Sequence, residues 1–134
     1  MARLPKRAVA VKRLDKLPSL PAAYLSFVQQ CESVEITPDI RLWDYPTALG
    51  ENRRLGSDYP DVVARYWLIG DAGQGDTWFI GKESGNILFY DHDQGEYDEA
   101  DARFADMGIG FIPFLQTAFL FQELEGLFET QPEP

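Results

Sequence analysis

The sequence predicts an α+β domain: a twisted antiparallel sheet with a central three-strand meander, packed against N- and C-terminal helices. Three observations predict it. Residues 66–70 (YWLIG), 77–80 (TWFI) and 87–90 (ILFY) are short β-rich runs. Their connectors, DAGQGD and GKESGN, are dense in glycine and polar turn formers and short enough for hairpins. Leu20, Tyr24, Phe27, Val28 and Cys31 recur at helical spacing before the meander, and residues 111–128 form a strongly apolar segment after it.

Taken in order, residues 1–16 alternate briefly around Val9 and Val11 among bases, a pattern open to an edge strand, a helix or a mobile arm. LPSLP at 17–21 punctuates the approach to the first helix, with Ser19 as N-cap and Pro21 in the first turn. Cys31 reads as the last rung of that helix's buried stripe. Val34 and Ile36 then alternate with polar residues until Pro38, and Ile40, Leu42 and Trp43 resume an extended path. A short helix is expected at 46–56, from Pro46 to Gly56, followed by a turn at 57–60. Residues 91–110 read as an acidic loop with a helical turn at 98–105. Pro113 opens the last helix, in which Phe114, Leu115, Ala118, Phe119, Phe121, Leu124 and Phe128 leave few polar positions. Such a helix is buried against the sheet or covered by a partner.

The organisation expected is a basic N-terminal arm at 1–16, one domain at 17–128 and a frayed tail at 129–134. At 134 residues, 45% hydrophobic and 13% aromatic, the chain has enough apolar material for a core. A chain of this size removes roughly 68–70% of its unfolded surface from water.

Charge narrows the partners. The formal charge is −10, unevenly placed: residues 1–16 hold six bases against Asp15, leaving −15 on residues 17–134. A body this acidic repels a phosphate backbone, so nucleic acid is not an expected direct ligand, whereas a basic protein surface matches it. Cys31 is the sole cysteine, which excludes an internal disulfide and a cysteine zinc cluster. No apolar run has the length of a signal core or a membrane span. The expectation is a cytoplasmic protein with no membrane partner.

Motifs that carry chemistry fail on spacing. His92, the sole histidine, sits in DHD at 91–93, where a solvated loop position competes with a general base. An EF-hand loop begun at Asp91 would need Gly and Glu where Glu96 and Ala102 stand. Gly75 and Gly81 are separated by five residues, and Glu83 follows Lys82, against the phosphate-loop pattern. Gly73-Gln74-Gly75 leads into a strand, against the dinucleotide pattern. Gly70, Gly73, Gly75 and Gly81 read as hairpin residues with positive φ. No catalytic residue, metal ligand or cofactor is assigned. Six of the eleven residues from Asp91 to Asp101 are acidic, which reads equally as a solvated face or as a docking surface for a basic partner.

The run WLIGDAGQGDTWFI, a Gly-Asn turn and ILFYDHD together resemble the SUKH superfamily, which includes the fungal cell-wall assembly regulator domain and many bacterial immunity proteins. LPAAYLSFV at 20–28 and FIPFL at 111–115 occupy the places of that family's opening and closing helices, so the resemblance spans 17–128. Gln74 stands where many members carry a third glycine, and residues 1–16 have no counterpart. The resemblance implies a non-enzymatic α+β domain that neutralises a cognate toxin, often a nuclease, by binding it. It makes Gly70, Asp71, Gly73, Gly75 and Asp76 structural turn residues and transfers no binding residues. Charge alone points to Asp91, Asp93, Glu96, Tyr97, Asp98, Glu99 and Asp101 as the partner-binding set. The expected partner is a basic protein, such as a secreted toxin; a homodimer through the last helix is also allowed. A regulatory or scaffold module of the cell-wall regulator type is the alternative, and a small hydrolase using Asp71, Asp76 or His92 is the third reading.

Overall fold

The computed structural model describes residues 4–91 and 104–130, the last four by backbone only. The elements run α1 (Ala22–Gln30), β1 (Val34–Thr37), β2 (Ile40–Leu42), α2 (Tyr45–Asp58), α3 (Pro60–Arg65), β3 (Tyr66–Asp71), β4 (Thr77–Gly81), β5 (Ile87–Tyr90), β6 (Phe104–Asp106) and α4 (Phe111–Thr130). The six strands form one sheet in the order β1-β2-β3-β4-β5-β6, antiparallel throughout. The expected α+β domain is present, and its central meander extends by a hairpin on one side and a strand on the other.

Both faces of the central strands are covered, because alternate residues of a strand point to opposite sides. Trp67, Ile69, Ile80 and Ile87 join Tyr24, Phe27 and Val28 of α1, Cys31 at its C-cap, and Phe111, Phe114, Leu115 and Ala118 of α4 in one apolar cluster. Leu68, Phe79, Leu88 and Tyr90 form a second cluster with Val62 of α3, against which Leu55 of α2 packs. Burying each such side chain fully contributes about 1.5–3 kcal/mol. The first and last helices meet through Tyr24 and Phe111, edge to face with ring centroids 5.4 Å apart.

The helix at 46–56 is longer than expected at both ends. Asp44 caps α2, its carboxylate accepting from Thr47 N at 3.1 Å. Gly56 does not stop the helix: a Cβ there would lie 3.2 Å from Val63 Cγ2, so glycine serves close packing of α2 on α3. The expected turn at 57–60 is instead the end of α2, the single non-helical Tyr59 and the start of α3. Ser19 is not the N-cap of α1. Pro21 holds that place and no side chain caps the helix there. Of the helical turn expected at 98–105, positions 104 and 105 are strand, in β6, and 98–103 lie outside the described residues.

Described residues of the N-terminal arm form an irregular strap along the end of α1. Arg7 N and Val11 N donate to Gln30 O and Gln29 O, each at 2.8 Å, and Glu32 N donates to Pro5 O at 2.7 Å. The strap thus satisfies α1's terminal carbonyls by backbone and brings bases to the negative end of a helix that has none of its own there. Lys82, in the β4–β5 turn, serves α3 alike: its N donates to Arg65 O at 2.8 Å and its amine to Val63 O. Burial pushes the Lys82 amine pKa down. Among the described residues no helix is long and apolar enough to cross a membrane.

Candidate functional site

The glycine-rich β3–β4 turn is the most distinctive local sequence, and its geometry starts one residue before it. In β3 the register with β4 slips between Leu68 and Gly70, leaving Ile69 as the extra residue of a bulge. Gly70 then faces β2 so closely that a Cβ would stand 2.1 Å from Arg41 O. No side chain fits there. Glycine is required at this point for the approach of two backbones, not for its φ.

That approach sets Asp71 opposite Arg41 of β2. Its Oδ1 accepts from Arg41 Nε at 2.8 Å and from Gly73 N at 2.9 Å, and its Oδ2 accepts from the Trp43 indole at 2.9 Å. Arg41 Nη2 adds a contact of 2.6 Å. Beyond Asp71 the chain reverses through three successive left-handed residues, Gly73 (φ 73), Gln74 (φ 55) and Gly75 (φ 92). Ala72 N donates to Asp76 O at 3.0 Å and Asp76 N to Gly73 O at 3.1 Å, closing the turn. The expected positive φ holds for Gly73 and Gly75 and for Gln74 between them, but not for Gly70 or Gly81, where glycine instead admits close neighbours: a Cβ would lie 2.1 Å from Arg41 O and 2.8 Å from Ser84 Oγ.

An open cleft of about 440 Å³ lies between this turn and α2, lined among others by Arg41, Trp43, Glu51, Arg54, Asp58 and Gln74. Its charges are mixed, and Glu51 and Arg54 pair with each other along α2. Its described lining includes the Thr77 hydroxyl and the carboxylates of Glu51, Asp58, Asp71 and Asp76. Asp71, the carboxylate at its floor, is engaged by donors of the protein itself. Among the described residues no group of three or more His, Cys, Asp or Glu is placed to hold a metal ion.

A second cleft, of about 430 Å³, separates the strap from α1 and α4 and is lined by Leu4, Lys6, Phe27, Cys31, Ile112 and Leu115 among others. Burial pushes the Cys31 thiol pKa up, with nearby Lys6 opposing the shift. Cys31 is therefore a packed thiol, as its place in the helical stripe predicts.

The turn set, Gly70, Asp71, Gly73, Gly75 and Asp76, comes together in one structure. Of the partner-binding set, Asp91 follows β5 and is half-buried. Asp93, Glu96, Tyr97, Asp98, Glu99 and Asp101, with His92, lie outside the described residues. Two anchors of the turn, Arg41 and Trp43, carry no signal in the sequence, because they sit 30 and 28 residues from Asp71. Compared with models of known families, with functionally described proteins and with solved structures, the chain matches none.

Proposed function

We propose that this chain is a non-enzymatic protein-binding domain of the immunity type. It neutralises a basic toxin, a nuclease as the SUKH resemblance implies, by covering the toxin's substrate cleft in the cytoplasm. The observation that carries the reading is the state of Asp71: this cleft carboxylate is held by Arg41, Trp43 and Gly73 and organises a turn. Binding is the use left to an acidic surface built on such a scaffold. The charge of −15 on residues 17–134 supports a basic partner, and attraction of this kind accelerates encounter toward ~10⁸–10⁹ M⁻¹s⁻¹ at low salt. The sequence pattern shared with the SUKH superfamily supports the immunity role.

The test is retention of partners from the source cells by the tagged full chain at low salt, identified by mass spectrometry. A basic, nuclease-like protein released as salt rises, and whose activity the chain inhibits, is the expected result. A retained partner whose association rate ignores ionic strength would remove the electrostatic basis of the reading. Turnover by the chain itself, lost on His92→Ala, would replace the reading with the hydrolase.

A further inference from the structure

α4 has two apolar faces and uses one. Phe111, Phe114, Leu115, Ala118 and Phe119 are buried in the core, as a helix lying on a sheet requires. On the side away from the core Leu120, Phe121 and Leu124 are 55%, 52% and 40% exposed. Residues spaced as 120, 121 and 124 share one side of a helix, whereas Ile112 lines the cleft beside the N-terminal strap. The core does not need them, and a contiguous patch of this kind marks an interaction surface.

Charge selects what covers it. Glu123 and Glu125, both exposed, flank Leu124, and α4 contains no lysine or arginine. In residues 83–134 a single base, Arg103, stands against twelve acids. The glutamates crowd the C-terminal half of the helix, where the macrodipole is negative and where no basic residue occupies the last turn. Acid there adds to the negative end of the helix and favours a cationic partner. A second copy of this chain would bring the same glutamates and another −10 to the interface, so self-association is opposed.

We propose that the solvent face of α4 at Leu120, Phe121 and Leu124 docks a basic amphipathic helix of the partner. Apolar side chains of that helix pack on Leu120, Phe121 and Leu124, and its lysines or arginines meet Glu123 and Glu125. The proposal rests on the reading of the chain as a binder of a basic protein, and it places the contact on α4 in addition to residues 91–101. An apolar face on each helix gives ridge-into-groove packing, and the acidic flank sets the sign of the partner.

The experiment uses the full chain and a fluorescein-labelled, helix-forming peptide of Lys and Leu, with Leu confined to one face. A peptide of equal charge, with Ser replacing Leu, is the control. Anisotropy titrations are run at low and high salt against wild type, the double variant Phe121→Ser/Leu124→Ser and the double variant Glu123→Gln/Glu125→Gln. These side chains are exposed, so circular dichroism is expected to be unchanged in both variants. The Lys/Leu peptide binds wild type, and the Ser variant weakens it by about tenfold or more, the loss of a small hot spot. The Gln variant weakens it mainly at low salt. Equal binding of both peptides, or no effect of the Ser variant, overturns the proposal. A concentration-dependent dimer in sedimentation, abolished by the Ser variant, assigns the face to a second copy and overturns it as well. A basic partner recovered from cells that binds the Ser variant as tightly as wild type refutes the α4 site alone. Peptide binding with no basic partner in cells refutes the proposed function alone.

Discussion

Asn52 of α2 does the work of a missing strand for Leu68 of β3. β2 pairs with β3 only as far as Gly70, with Trp43 N reaching Ile69 O, so the edge of β3 at Leu68 has no strand beside it. The buried Asn52 amide fills the gap: its Oδ1 accepts from Leu68 N at 2.8 Å, and its Nδ2 donates to Leu68 O at 2.9 Å. Nδ2 also donates to Ala48 O at 2.8 Å within α2. Asn52→Ala strands two buried backbone groups and is expected to lower unfolding free energy by about 2–4 kcal/mol. Asn52→Asp keeps the acceptor and loses the donor, so it fails to rescue. Urea denaturation of the three proteins, followed by tryptophan fluorescence, measures both effects.

The glycines separate by what a methyl group would meet. At Gly70 it would collide with the Arg41 carbonyl, and only parting β2 from β3 makes room. Gly70→Ala is expected to cost about 3 kcal/mol or more, seen as a large fall in the urea midpoint or as insoluble protein. At Gly50, exposed within α2, nothing lies within 4 Å. Gly50→Ala is expected to stabilise by about 0.5–1 kcal/mol through helix propensity and a less flexible unfolded chain. A neutral Gly70→Ala would contradict the strand contact.

Asp71 makes two kinds of contact that substitution can separate. Its pairing with Arg41 is partly solvated, the side chains being 23% and 44% exposed, so the ionic part is worth about 0–1 kcal/mol. Asp71→Asn, which retains an acceptor oxygen, is expected to lose about 1 kcal/mol. Asp71→Ala also leaves the Trp43 indole and Gly73 N without their acceptor and is expected to lose about 2–3 kcal/mol. Thermal unfolding gives the order, and a red shift of tryptophan emission in the Ala variant reports release of Trp43.

Tyr24 gives the fold a limit at alkaline pH. Burial pushes its phenol well above its ordinary value, against the opposing effect of the hydrogen bond it accepts from the Trp67 indole at 3.0 Å. A phenol raised in the folded state keeps its proton while the unfolded chain loses its own. Its contribution is therefore fully present below pH ~10 and declines as pH rises beyond that. Tyr24→Phe is expected to be less stable at neutral pH by about 1–3 kcal/mol, because the buried indole loses its acceptor. It is also expected to show a shallower decline at alkaline pH. Denaturation from neutral pH to above 10 tests both slopes.

The sheet was legible because its signals are local. Alternating aromatic and β-branched residues at 66–70, 77–80 and 87–90, with glycine turns between them, specify strands and hairpins without reference to distant residues. α1 was legible for the same reason, its stripe from Leu20 to Cys31 being buried throughout. The elements that escaped are short or borrow their support. α3 is six residues with two adjacent valines, and β6 is three residues. Gly56 imitates a stop signal while serving helix packing, and Asn52, between Glu51 and Arg53, resembles a solvent-facing helix residue. Within the candidate site the turn could be read, but the anchoring of Asp71 could not, since its donors come from a strand far away in sequence. The apolar excess of α4 was visible, whereas its division into a buried and an exposed face needed the sheet.

The sheet's strand order repeats the chain order, so each hairpin closes a short loop at little entropic cost. During synthesis the strands can pair as they emerge. The core of the first cluster cannot close then, because Tyr24 and Phe27 of α1 find Phe111 only when α4 arrives. Until that moment the growing chain carries an uncovered sheet face, and the arrival of α4 converts a ribbon of hairpins into a cooperative unit.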